Sequence, residues 1–210
     1  MKLQVALDCQ TIDEAIAILD QVGNYVDIAE IGSVGMFEGM KTSRIIREKF
    51  PHLEILNDLK IHDGGYSGAM AAYEHGADYV TVLGVAEDIT ISEAVRAKKE
   101  CGIKVIVDMI GCRNIAERLK EVDKMGVDYI AVHLAIDAQS ADTSPLEQLK
   151  IANLVVKNSG ISVAGGIGLK NIEDIVSCHP NIVVSGNAIC GSDNLTETAK
   201  KMKDLIEKNG

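Results

Sequence analysis

The sequence predicts a closed (β/α)8 barrel, a single α/β domain over residues 1–210, and three observations lead there. Eight short runs rich in β-branched residues recur along the 210 residues. Each is followed by a longer stretch with helical patterning, at a spacing of roughly 20–30 residues per unit, which is a βαβ rhythm. The runs are also nearly continuous in apolar residues, as strands buried on both faces are. Eight parallel βα units close into a barrel. The competing architecture, a doubly wound open sheet, opens on a glycine-rich turn, whereas here the first turn reads LDCQTIDEA. No composition shift or Pro/Gly/Ser-rich linker divides the chain.

The first strand is LQVALD (3–8), and the helix after it begins at TIDEAIAILDQV, where Thr11 with Glu14 three residues later makes a capping box. VDIAEIG (26–32) and LEILNDLK (53–60) are the second and third strands, and DYVTVLG (78–84) is the fourth. ITISEAVRAKKECG follows, ending on Gly102, the residue type that stops a helix. The fifth strand, IKVIVDMI (103–110), leads into NIAERLKEVDKMG, which ends on Gly126. DYIAVH (128–133), ISVAGG (161–166) and NIVVSG (181–186) complete the set. HGADYVTV and MGVDYIAV echo one another. That echo is either a trace of duplicated barrel units or ordinary helix-stop-then-strand chemistry.

Composition narrows the function. Apolar residues make up 47% of the chain, aromatics only 3%, and Trp is absent, so the core is aliphatic. The net charge of -10 excludes a broad nucleic-acid-binding face, which needs a basic footprint. Cys9, Cys101, Cys112, Cys178 and Cys190 are scattered without a CxxC pair and read as reduced thiols of a cytosolic protein. The chain opens on a strand pattern without a signal-peptide core, and no apolar run is long enough to span a membrane. A cytoplasmic protein is expected.

Catalytic groups of a (β/α)8 barrel come from the C-terminal ends of its strands. In order these are Asp8, Glu30, Asp58 with Lys60 and then Asp63, Thr81 with Gly84, Asp108, His133, Gly165 with Gly166, and Ser185 with Gly186. Charges in an aliphatic barrel mouth are costly unless paired or holding a metal. Residues 58 and 60 are two apart, so strand alternation sends both to the mouth. Lys60 beside carboxylates stays protonated, a cation where negative charge develops on a substrate. Glu30 and Asp58, on neighbouring strands, suit Mg²⁺, which takes one or two carboxylates and leaves the rest of its shell to water and substrate. His133 is either a general base or a hydrogen-bond partner of the substrate. VAGGIG and VSGNAICG follow strands seven and eight, where barrels bind phosphate through bare backbone N–H groups.

The D-x-K-x-x-D of Asp58, Lys60 and Asp63 on a third barrel strand resembles the orotidine monophosphate decarboxylase superfamily. Glu30 in IAEIG, with the opening LQVALD, resembles its metal-dependent branch, the 3-hexulose-6-phosphate synthases and 3-keto-L-gulonate-6-phosphate decarboxylases. Within that branch the decarboxylases carry Glu in the strand-five motif, Arg three residues after the strand-six His, and Gly-Arg after strand eight. This chain has Asp108, Ile136 and Gly186-Asn187 instead, and leans toward the synthase, which itself usually has Gly-Gly at the last position.

The resemblance implies an aldol condensation of formaldehyde with D-ribulose 5-phosphate through a metal-stabilised enediolate. Mg²⁺ (or Mn²⁺) is held by Glu30 and Asp58. Lys60, Asp63, Asp108 and His133 are catalytic, with His133 in proton transfer. Asp8 positions sugar hydroxyls, and Gly166, Gly186 and Asn187 hold the phosphate. It also implies a homodimer in which Asp63 serves the partner's site. The alternatives are the decarboxylase activity, a non-catalytic sugar-phosphate-binding barrel, and an epimerase-type isomerase, which needs more strand-end histidines than His133.

Overall fold

The structure, a computed structural model, describes residues 1–140 and 143–209. Eight parallel strands close a barrel in sequence order, the eighth pairing with the first. They are β1 (Lys2–Leu7), β2 (Ile28–Ile31), β3 (Glu54–Ile61), β4 (Tyr79–Leu83), β5 (Lys104–Asp108), β6 (Tyr129–His133), β7 (Gly160–Ala164) and β8 (Ile182–Ser185). Around them run α1 (Ile12–Val22), α2 (Ser33–Glu38), α3 (Lys41–Lys49), α4 (Gly65–Glu74), α5 (Asp88–Cys101), α6 (Ile115–Val122), α7 (Leu146–Val155), α8 (Ile172–Val176), α9 (Asn187–Cys190) and α10 (Leu195–Lys208). The Thr11–Glu14 capping box is formed, and α5 ends on Gly102 in the left-handed conformation. Helix α6 stops at Val122, short of Gly126. Asp123 caps it, its N–H still donating to the Leu119 carbonyl, while its carboxylate accepts the backbone N–H groups of Lys157, Asn158 and Ser159. Gly126, at φ 85°, then shapes the turn into β6.

Alternation along each strand divides the core in two. One set, with Val5, Ile55, Val80 and Val107, packs under the helices. The other, with Ala6, Leu56, Ile106 and Val184, fills the barrel. The barrel floor is polar. Lys2 pairs with Glu54, and Tyr79 Oη donates to Glu54 at 3.0 Å while Lys104 Nζ donates to Tyr79 Oη at 3.0 Å.

The repeated Asp before a strand has a structural role. Asp27, Asp78, Asp128 and Asn181 stand just ahead of β2, β4, β6 and β8. Each side chain accepts the backbone N–H of a residue in the preceding strand, namely Leu3, Ile55, Val105 and Ile161. Each backbone N–H returns a bond to the same residue's carbonyl at 2.7–3.0 Å. The side chain supplies an acceptor where the staggered strands of a barrel leave an N–H beyond the ladder. Four such clamps, one per pair of βα units, ring the base.

No helix among the described residues is long and apolar enough to cross a membrane. All five cysteines are free thiols, half-buried.

Candidate active site

At the mouth, β3 departs from regular pairing. Asn57 faces Val80 and Ile61 faces Val82, so residues 58–60 of β3 lie opposite Thr81 alone. Lys60 sits in the bulge at φ 43°, a left-handed conformation unusual for a side-chain-bearing residue. Asp58 and Lys60 do reach the mouth together, but a bulge rather than plain alternation brings them there. Lys60 Nζ pairs with Asp58 Oδ2 and lies 3.3 Å from Asp108 Oδ2. Asp108, at the end of β5, is 3% exposed. Its Oδ2 accepts from Nδ1 of His133, at the end of β6, at 2.9 Å.

The electrostatics follow from this packing. Burial alone would lower the Lys60 pKa, but the Asp58 and Asp108 carboxylates outweigh it and hold the ammonium well above its ordinary range. Burial would raise Asp108, yet the His133 hydrogen bond, the His133 charge and Lys60 hold its carboxyl below its ordinary value. An ionised carboxylate only accepts, so His133 presents an Nδ1–H to Asp108, and its Nε2 faces away from that carboxylate.

Glu30, on β2, behaves differently. Burial and then the Asp58 carboxylate push its carboxyl up to about 8, although Gln4 Nε2 donates to its Oε2 at 2.6 Å. The other end of the Gln4 amide, Oε1, is buried without a hydrogen-bond partner among the described residues. Glu30 and Asp58 offer an oxygen-only donor set, the chemistry that a hard divalent cation takes. Among the described residues no three His, Cys, Asp or Glu side chains form an all-protein cage. Glu30 and Asp58 are the carboxylates at this point of the mouth that would hold such an ion. Each Asp58 oxygen has one donor, Thr81 or Lys60, and keeps a second lone pair.

Asp8 Oδ1 accepts from Ser33 N at 3.0 Å, and its Oδ2 lies against Gly186, where a Cβ would stand 3.7 Å away. Gly165 and Gly166 have φ 104° and 68°. A side chain at Gly165 would also collide with the backbone of Leu134, so the β7 loop requires glycine there. Asn171 holds that loop, donating from Nδ2 to the Gly166 carbonyl at 3.0 Å. Asn187 follows Gly186 as the first residue of α9, and its side chain folds back toward Gly191. Asp63 stands outside the cluster: it is exposed, and its Oδ1 accepts from the N–H of Gly64 at 2.7 Å. Ile136, in a short 3₁₀ turn after β6, is 71% exposed.

Residues 1–202 match the family described as Orotidine 5'-phosphate decarboxylase / HUMPS family. The chain belongs to this family. It is 42% identical over 207 residues to a 3-hexulose-6-phosphate synthase of Bacillus subtilis (strain 168), covering 98% of this chain and 99% of that one. The crystal structure of 3-hexulose-6-phosphate synthase from Salmonella typhimurium superposes with a TM-score of 0.97 at 38% identity, over 100% of both chains. A crystal structure of KGPDC from Streptococcus mutans superposes with a TM-score of 0.88 at 25% identity, over 99% of this chain and 97% of that one. With full-length relatives of this kind the protein is an enzyme, a carbon–carbon lyase.

Two members of the site were not assigned from sequence. Thr81 is visible as a strand-end polar residue, but its contacts exist only through the bulge. Gln4 carries a fainter signal: it is the polar residue in an apolar strand, at the same inward parity as Asp8.

Proposed function

We propose that this member of the HUMPS family joins formaldehyde to D-ribulose 5-phosphate to give 3-hexulose 6-phosphate, and catalyses the reverse cleavage. The observation that carries this reading is the full-length likeness, at 42% identity, to a relative named for that product. The products' numbering sets the chemistry. Adding one carbon at C1 of ribulose 5-phosphate moves the ketone from C2 to C3, so C1 is the nucleophile. It must lose a proton to become an enediolate, attack the formaldehyde carbon, and leave an alkoxide that takes up a proton.

His133 has the free nitrogen for the C1 proton, with Asp108 fixing the ring and stabilising its charged form. Lys60, held as an ammonium between Asp58 and Asp108, sits where the developing oxyanion needs positive charge. Glu30 and Asp58 would hold Mg²⁺ or Mn²⁺, which when bound supplies Lewis-acid stabilisation of vicinal sugar oxygens. Asp8 orients a sugar hydroxyl. The backbone at Gly166, Gly186 and Asn187 receives the phosphate, which supports a substrate that is a phosphorylated sugar. Asp63, outside its own chain's cluster, serves the partner subunit in a homodimer.

The test is formaldehyde consumption with ribulose 5-phosphate, run beside CO₂ release from 3-keto-L-gulonate 6-phosphate. Exposed Ile136 brings no cation to the mouth, so condensation should exceed decarboxylation by at least about tenfold, or about 1.4 kcal/mol in the barrier. Ile136→Arg should shift the ratio toward CO₂. Faster CO₂ release by the unaltered protein would make it the decarboxylase, and binding without either turnover would make it a sugar-phosphate-binding barrel.

A further inference from the structure

Thr81 uses one hydroxyl for two tasks. It is 5% exposed on β4, its Oγ1 accepts the backbone N–H of Lys60 at 2.9 Å, and it donates to Asp58 Oδ1 at 2.7 Å. The bulge makes this necessary. Between the Asn57–Val80 and Ile61–Val82 pairs, three β3 residues face Thr81, so the regular ladder offers Lys60's N–H no backbone acceptor opposite. A buried N–H without a partner is costly, and the hydroxyl supplies the acceptor that the ladder lacks. Lys60 also holds a left-handed φ of 43°, which persists only where surroundings determine it.

We infer that Thr81 is a positioning residue that pins the β3 bulge, so that Lys60 stands between Asp58 and Asp108 with its ammonium at the mouth. It touches neither Asp108 nor His133 among the described contacts, and it acts through Lys60 and Asp58. Its single proton goes to Asp58 Oδ1. That leaves Asp58 Oδ2 to Lys60 and fixes which carboxylate oxygen meets the lysine.

The kinetic arm of the test rests on the proposed condensation, and the structural arm does not. In Thr81→Val, which keeps the shape and removes the hydroxyl, kcat should fall about tenfold to a hundredfold, the effect of one lost hydrogen bond to a charged group. KM for ribulose 5-phosphate should stay within about twofold, because Thr81 supports the reacting centre rather than remote binding groups. Thr81→Ser should restore kcat to within about threefold of the unaltered enzyme. Crystal structures of both variants should show Lys60 leaving its positive φ and its contact with Asp108 in the valine form, and keeping both in the serine form. If valine misfolds, Thr81→Ala carries the same comparison. A valine or alanine form with unchanged kcat and Lys60 geometry overturns the inference. So does a serine form as impaired as valine, which would mean that the methyl group's packing matters instead. An unaltered protein that does not condense formaldehyde overturns the proposed reaction, and Lys60's conformation in the two variants still decides the role of Thr81.

Discussion

The carboxylate of Asp108 accepts a hydrogen bond from His133 Nδ1 at 2.9 Å and lies 3.3 Å from Lys60 Nζ through the same oxygen. One buried anion thus couples the proton-transfer candidate to the fixed cation. Asp108→Asn should lower kcat about a hundredfold or more, the usual scale of general acid–base catalysis. It frees the His133 tautomer and removes one of Lys60's two partners. His133→Gln should do comparable damage, and the double variant should be little worse than either single one. Singles whose effects multiply in the double would show that the two residues act independently.

If the proposed metal role of Glu30 and Asp58 holds, chelation should abolish turnover and Mg²⁺ or Mn²⁺ should restore it, since two carboxylates on neighbouring strands would supply hard oxygen ligands. Glu30→Gln should weaken Mn²⁺ binding, read directly by calorimetry or electron spin resonance, while leaving the circular dichroism spectrum unchanged. Loss of one ligating carboxylate should cost at least about tenfold in affinity. Full activity in chelator would remove the metal from the proposal.

Asp63 provides a test of assembly. Glu30→Gln and Asp63→Ala should each be nearly inactive. In the proposed homodimer, co-refolding the two at equal amounts pairs them at random, so half the dimers are hybrids with one intact site each and about a quarter of full activity should return. A mixture that stays inactive, although hybrids are demonstrated by mass, would assign Asp63 to its own subunit.

Asp123 sets an acid limit on stability. It is 5% exposed and accepts the N–H groups of Lys157, Asn158 and Ser159 at 2.9–3.0 Å. Burial would raise its pKa, but those backbone bonds outweigh it and hold the folded carboxyl below its ordinary value. A lowered folded pKa contributes stability above the unfolded value, near 3.9, and that contribution disappears as pH falls through the folded value. Asp123→Asn should therefore cost at least about 2 kcal/mol at pH 7, and the gap from the unaltered protein should narrow below about pH 4. Denaturant titrations at pH 7 and at pH 3 measure both. A gap independent of pH would show that the carboxylate's charge is not what matters there.

The barrel was legible in the sequence because parallel strands buried on both faces must be apolar throughout, and eight such runs leave few ways to close a sheet. The mouth was legible for a related reason. Glu30, Asp58, Asp108 and His133 break those apolar runs at their C-terminal ends, where a polar side chain can only be facing solvent, a partner or a ligand. Strand parity carried Asp58 and Lys60 to the right place, though by too simple a route. The echo between HGADYVTV and MGVDYIAV marked a feature whose purpose was not readable: the clamps of Asp78 and Asp128 are made to residues 23 positions earlier in the chain. Tertiary structure alone decided the β3 bulge, the left-handed Lys60, the two bonds of Thr81 and the pairing of Gln4 with Glu30. Each depends on the stagger between neighbouring strands. A one-dimensional pattern records which residues are apolar, but not which N–H the ladder leaves without an acceptor.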